Sequence, residues 1–269
     1  MRRHALALQP TCDCGRVHTF TRDLKPKPAA GLVRVRKLEA RYATQLRQIA
    51  RQVGHIIDAW APADGVFDLS EVPALQQSLD RYADAVTPWA RATAARIIGE
   101  IAIKEKGAWA EQAKTMSRAL RQELLNAPTG EVLRTYLAEQ VELIRSLPIE
   151  AGQRVHNLTL KGLENSTRAA EISREIMRSG QVTQSRANTI ARTEVSRTAS
   201  GLVMARSRHV GSESYIWRTS RDRDVRPSHK RMEGKVVSWD DPPTLDGLRG
   251  HAGMLPNCRC YPEPIIPEF

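Results

Sequence analysis

The sequence predicts a mainly α protein: an elongated helical body, a small C-terminal α+β module and an extended basic N-terminal arm. Three observations lead there. Apolar residues recur at steps of three and four through residues 32–180, the period of a helix with one buried face. After a helix that Gly211 ends, the chain shortens into two strand-like runs set among turns. Before residue 32 prolines and basic residues break any period.

The arm, residues 1–31, carries Pro10, Pro26 and Pro28, and Lys25-Pro26-Lys27-Pro28 reads as an extended basic tract. The body spans residues 32–180. Leu32, Val35, Leu38, Tyr42, Leu46, Ile49, Val53, Ile56 and Trp60 make its clearest stripe, ended by Ala61-Pro62. Asp68 to Glu71 reads as a helix start, followed by Val72, Leu75, Leu79, Tyr82 and Val86, with Pro88 breaking or kinking the run. Ile97, Ile98 and Ile101 open the next run, and Met116, Leu120 and Leu124 another. Leu133, Tyr136, Leu137, Val141 and Ile144 follow Thr129, and this helix is expected to end before Pro148. Such stripes are either core or a surface for partner helices. The module, residues 181–269, opens with a helix over about Thr183 to Arg208 that Gly211 ends. Tyr215 to Thr219 and Val236-Val237 read as strands, and the rest as turns and a Pro-rich tail.

The 269 residues carry a net charge of +11, with 32 Arg against 9 Lys. The excess lies at the ends: +6 in residues 1–36, +1 in 37–180 and +4 in 181–269. A basic arm of this kind meets nucleic acid or an acidic protein surface, and Arg2, Arg3, Lys25, Lys27, Arg34 and Arg36 are the residues to do it. No stretch approaches 18 consecutive apolar residues, so no transmembrane helix is expected. The apolar run at the N-terminus is too short for a secretory signal, which suits assembly in a cytoplasm.

Two clusters carry chemistry. Asp222, Arg226 and His229 lie at steps of four and three. That spacing suits a carboxylate orienting an imidazole base, a pair of metal ligands, or a buried ion pair. Cys258-x-Cys260 with His229 makes three zinc-type ligands. A fourth would come from Asp222, His251 or His18, or the pair Cys12-x-Cys14 would complete a four-cysteine site. Buried thiols and a disulfide formed later fit the same residues. A basic helix face, Arg186, Arg197, Arg206 and Arg208, suits phosphate or plain solvation, and Arg197 can pair with Glu194. There is no P-loop, Gly-x-Gly-x-x-Gly, His-Glu-x-x-His or Gly-x-Ser-x-Gly, so no common transferase or hydrolase is spelled out.

The order Ala191-Arg192-Thr193-Glu194, Trp217, Thr219, Asp222, Val225-Arg226-Pro227, His229, Gly234 and Pro256-Asn257-Cys258-Arg259-Cys260 resembles the phage Mu F-like head-morphogenesis family. The resemblance runs from about Gln181 to Pro262. In one respect the chain departs from the pattern: the family commonly carries a His before Pro-Asn-Cys-Arg-Cys, and Leu255 stands here, with His251 four residues earlier. The resemblance implies a minor head protein of the virion, acting in capsid assembly at the portal vertex and carrying out no catalytic turnover. Its implied partners are portal and capsid or scaffold protein, with packaged DNA contacted without sequence preference and no membrane. Arg192, Glu194, Trp217, Asp222, Arg226, His229, Asn257, Cys258, Arg259 and Cys260 would form the structural cluster. No cofactor is certain, and zinc is the one the ligands fit. The alternatives are a metal-dependent nuclease, or an ADP-ribosyltransferase-like module resting on Arg192 to Glu194.

Overall fold

The computed structural model describes residues 3–5, 35–61, 68–165 and 169–267. Seven helices of nine residues or more carry most of it: α1 (Val35–Ala59), α2 (Val72–Ala85), α3 (Thr87–Gln112), α4 (Arg118–Asn126), α5 (Gly130–Glu164), α6 (Ala169–Met177) and α7 (Ser179–His209). A helical turn, α8 (Pro227–Lys230), lies among the strands β1 (Arg3–Ala5), β2 (Ser214–Arg218), β3 (Val236–Ser238), β4 (Thr244–Leu245), β5 (Leu248–Arg249) and β6 (Tyr261–Pro267). The protein is thus mainly α with a small C-terminal α+β part, as its periodicity predicts.

The chain divides into two compact units, each built from separate stretches. One comprises Glu39–Ile97 and Tyr136–Arg192. Its core joins Val53 and Ile57 of α1, Val72, Leu75 and Leu79 of α2, Ala151 and Val155 of α5, and Ile172 and Ile176 of α6. Ile57 is the buried residue where the stripe predicts Ile56, which packs at the margin. The α2 start is built as expected. Asp68 Oδ1 accepts from the Ser70 N–H at 2.9 Å and from its hydroxyl at 2.7 Å, and the turn Leu69–Glu71 leads into the helix. Pro88 is the second residue of α3, where a missing N–H costs nothing.

Pro148 does not end its helix: α5 runs through it to Glu164. An interior proline costs about 3 kcal/mol. Here Ile144, Leu147, Pro148 and Ala151 are all buried, so the apolar face that packs against the core holds the helix through the break.

The other unit comprises Met1–Leu38, Ile98–Thr135 and Thr193–Phe269. Trp109, Leu124, Val210 and Ile266 form one cluster. Tyr215, Trp217, Val237, Trp239, Ala252, Leu255, Cys258 and Cys260 form a second. After α7 the Ser212 N–H reaches Ser207 O at 2.9 Å and Gly211 takes φ 78°, the bond pattern of a Schellman cap. The sheet order is β1-β6-β2-β3, every pair antiparallel, and β4 and β5 form a separate hairpin.

The tail expected to be Pro-rich and irregular is therefore an inner strand, β6. β2 pairs with residues 261–265 and β1 with 265–267 only. Pro262 and Pro264 thus sit where β6 has a partner on one side, the setting in which a strand tolerates a residue without an N–H. Residues 3–5 of the arm are strand, not loop. Among the described residues no helix is long and apolar enough to cross a membrane.

Candidate functional site

The site lies at the ends of β2 and β6 nearest α8. β2 delivers Trp217, the loop after it carries Asp222, α8 carries His229, and the turn before β6 carries Asn257 to Cys260. In an extended run alternate side chains face the same way. Cys258 and Cys260 therefore turn inward together while Arg259 turns out to Asp222 at 3.5 Å and Asp224 at 3.6 Å. A one-residue spacer is what this requires. Asn257 takes φ 57°, which bends the chain into this run, and its N–H donates to Thr193 Oγ1 on α7 at 3.0 Å.

His229 Nδ1 lies 3.4 Å from Cys258 Sγ and 3.5 Å from Cys260 Sγ. The three residues are 2%, 3% and 2% exposed, and both thiols are free. Trp217 stands perpendicular to the His229 ring with centroids 5.6 Å apart. The hydrogen bond between the two sulfurs moves their pKa values in opposite directions. The bond from Cys260, with those from His229 and the Gly253 N–H, draws the Cys258 thiol down to about 5 against its burial. The same bond and burial push the Cys260 thiol up. His229 Nε2 is buried and has no hydrogen-bond partner among the described residues.

The polar residues around this triad brace one another. Asp222 accepts from Arg36 at 2.6 Å, from the Ser220 hydroxyl at 3.1 Å and from the Asp224 N–H at 3.2 Å. It is a loop organiser, and it does not face His229 along a helix, because α8 begins only at Pro227. Arg226 donates to the Pro256 carbonyl and lies 3.7 Å from Asp246, which also takes the Ser228 hydroxyl at 2.8 Å. Glu194 is buried and lies 3.4 Å from Arg197. Arg192 belongs to the other unit, where it donates to Glu39 at 3.1 Å.

His251 does not join the cysteines. Its Nδ1 meets the Tyr215 hydroxyl at 3.3 Å, and its ring packs edge-on against Tyr215 and Trp239. Burial, with Arg208 and Arg249 nearby, lowers its pKa. Leu255 fills apolar space in the same cluster. The arginines of the basic helix face each meet a carboxylate. Arg186 pairs with Glu150, Arg197 with Glu194, Arg206 with Glu105 and Arg208 with Asp240. Of the arm residues, the Arg3 backbone lies in β1 and Arg36 binds Asp222. Arg2, Lys25, Lys27, Arg34, Cys12, Cys14 and His18 lie outside the described residues.

Glu233 is the important residue that the sequence did not single out. It takes the Thr219 N–H at 2.7 Å, the Thr219 hydroxyl at 2.6 Å and Arg221 at 3.3 Å. Burial would raise its pKa, but these donors together hold it below the usual value. Its place beside Gly234, which bonds back to the Trp217 carbonyl at 2.8 Å, was the available signal.

Residues 153–262 match the family model described as Phage Mu protein F like protein. The match starts in α5, well before the stretch that carries the sequence motifs. An uncharacterised protein of Haemophilus influenzae (strain ATCC 51907 / DSM 11121 / KW20 / Rd) is 29% identical over 144 residues, covering 53% of this chain and 32% of its own length. The chain thus spans about a third of that relative. No solved structure matches significantly.

Proposed function

We propose that this chain acts in phage head morphogenesis, as a minor head component that joins the portal vertex and is carried in the virion. The observation that carries the reading is the Mu F-like match over residues 153–262. Its Trp217, Asp222, His229 and Asn257 to Cys260 are spent on bracing a fold. The buried His229 and thiols offer no open face to a substrate, and Asp222 is held by Arg36 and Arg259. This favours an assembly part over the nuclease alternative, whose metal must reach a phosphate. It also disfavours a transferase built on Arg192 to Glu194, since Arg192 is paired and Glu194 buried. Portal, capsid or scaffold protein would be the partners, with packaged DNA a further contact of the basic arm.

The test is co-expression with the portal and capsid proteins of the same phage, followed by sedimentation. The chain is expected to travel with portal rings or with heads, and heads made without it should form in lower yield. If it travels with neither and head yield is unchanged without it, the proposal fails. It fails equally if the purified chain turns over DNA and a folded His229→Ala variant loses that turnover.

A further inference from the structure

We propose that His229, Cys258 and Cys260 hold a zinc ion that staples α8 to the start of β6. The inference goes beyond the assembly role and does not depend on it. Among the described residues these are the three whose His and Cys donor atoms converge, all within 4.8 Å of one another. Zinc binds thiolate at about 2.3 Å and imidazole at about 2.0–2.1 Å, and a tetrahedral angle then sets nitrogen and sulfur about 3.5 Å apart. The two observed separations are 3.4 and 3.5 Å. A hydrogen bond to sulfur has this length too, and it is also the natural edge of a tetrahedron around a metal. Two thiolates and an imidazole are also the donor set that zinc takes readily.

The backbone prepares the site. The outward turn of Arg259 leaves both sulfurs on one side, and the Gly253 and Ser220 N–H groups are directed at Cys258 and Cys260. With Nδ1 on the metal, the imidazole proton is fixed on Nε2. The ligands come from the loops that continue two neighbouring strands, β2 through α8 and β6 through the turn before it. One ion would therefore add to the β2–β6 ladder, the Trp217 packing and the Arg259–Asp222 pair that already join the two segments. The three side chains are almost wholly buried, which suits a structural ion, with water or a further donor in the fourth position. Zinc sites of this kind contribute directly to folding.

The experiment is elemental analysis of the full chain, purified reduced and without chelator from zinc-supplemented medium. About one zinc per chain is expected. Cobalt exchanged into it should show thiolate-to-cobalt absorption in the near ultraviolet and the red bands of a tetrahedral ion. Cys258→Ser should lower zinc content at least tenfold. Because that variant can misfold, a chain carrying Cys12→Ser and Cys14→Ser is also titrated with an organomercurial, which should release zinc as its two remaining thiols are consumed. A folded, reduced chain that holds no zinc and takes up no cobalt overturns the proposal. So does a Cys258–Cys260 disulfide in that reduced chain, or zinc that survives loss of both cysteines.

Discussion

Gly253 sits at φ +80°, and a Cβ there would run into Ser200 Oγ and come within 2.7 Å of the Cys260 carbonyl oxygen. Gly247 has nearly the same φ, +78°, with nothing within 4 Å. The pair separates backbone strain from crowding. Gly247→Ala should cost about 1–2 kcal/mol, the left-handed penalty alone. Gly253→Ala adds overpacking of about 1–3 kcal/mol and should cost roughly twice as much, read from urea unfolding midpoints. Equal losses would mean that the turn at Gly253 moves freely.

His251 makes a pH prediction at the same scale. Its pKa is lowered in the folded chain, chiefly by burial, then by Arg208 and Arg249, with the hydrogen bond to the Trp239 backbone and Asp240 acting the other way. The unfolded chain therefore binds the proton first, at about pH 6.5. Stability is full above that pH and falls as pH drops from there toward the folded pKa. His251→Asn keeps an acceptor for the Tyr215 hydroxyl but cannot titrate. Its thermal midpoint should fall less than that of the wild type between about pH 7 and 5. Parallel curves would remove His251 from the acid response.

At the scale of elements, the buried pair Glu105–Arg206 joins α3 to α7. Arg206 Nε lies 3.0 and 2.9 Å from the two Glu105 oxygens, and its Nη1 donates to Leu124 O at 2.8 Å, at the end of α4. One guanidinium thus ties three helices. Glu105→Ala leaves that charge buried and should cost about 3–5 kcal/mol. Glu105→Leu with Arg206→Met should cost clearly less, because no charge is then stranded. Denaturant midpoints of the two variants decide it, and a double variant as unstable as the single would place the loss in packing instead.

How much of this was legible depends on whether a local pattern or a distant partner decides an element. The α1 and α2 stripes were readable because each repeats a period with one buried face. The cysteines and His229 were readable as residues that belong together, because their types are rare and the cysteine spacing tight, and the fold brings all three within 4.8 Å. Pro148 and β6 were not readable. In both, a local rule against proline is overruled by tertiary structure: a buried face of α5 in one, and in the other pairing with β2 on one side of β6 while the side beside Pro262 and Pro264 has no strand. Asp222 was misleading for a similar reason. Its spacing to His229 fits a helix, and the helix starts five residues later, at Pro227.

For the whole molecule the question is where the charge excess acts. Within the described residues many arginines already face carboxylates, among them Arg36, Arg192, Arg197, Arg206 and Arg208. Residues 1–36 carry +6 of the total +11. Contact with packaged DNA, which we propose, should therefore depend on the arm and weaken with salt as counterions return to the phosphates. Each phosphate contact contributes about 0.9 to the slope of log affinity against log salt. Lys25→Gln with Lys27→Gln should cut that slope by up to about 1.8, with little change in unfolding midpoint. Arg36→Gln should do the reverse, since Arg36 is held by Asp222: the slope should stay and the α+β unit should loosen. A slope indifferent to the lysines would assign the arm to an acidic protein surface. A slope that falls with Arg36 would mean that DNA displaces Asp222, which would link packaging to the same loop that braces the cysteines.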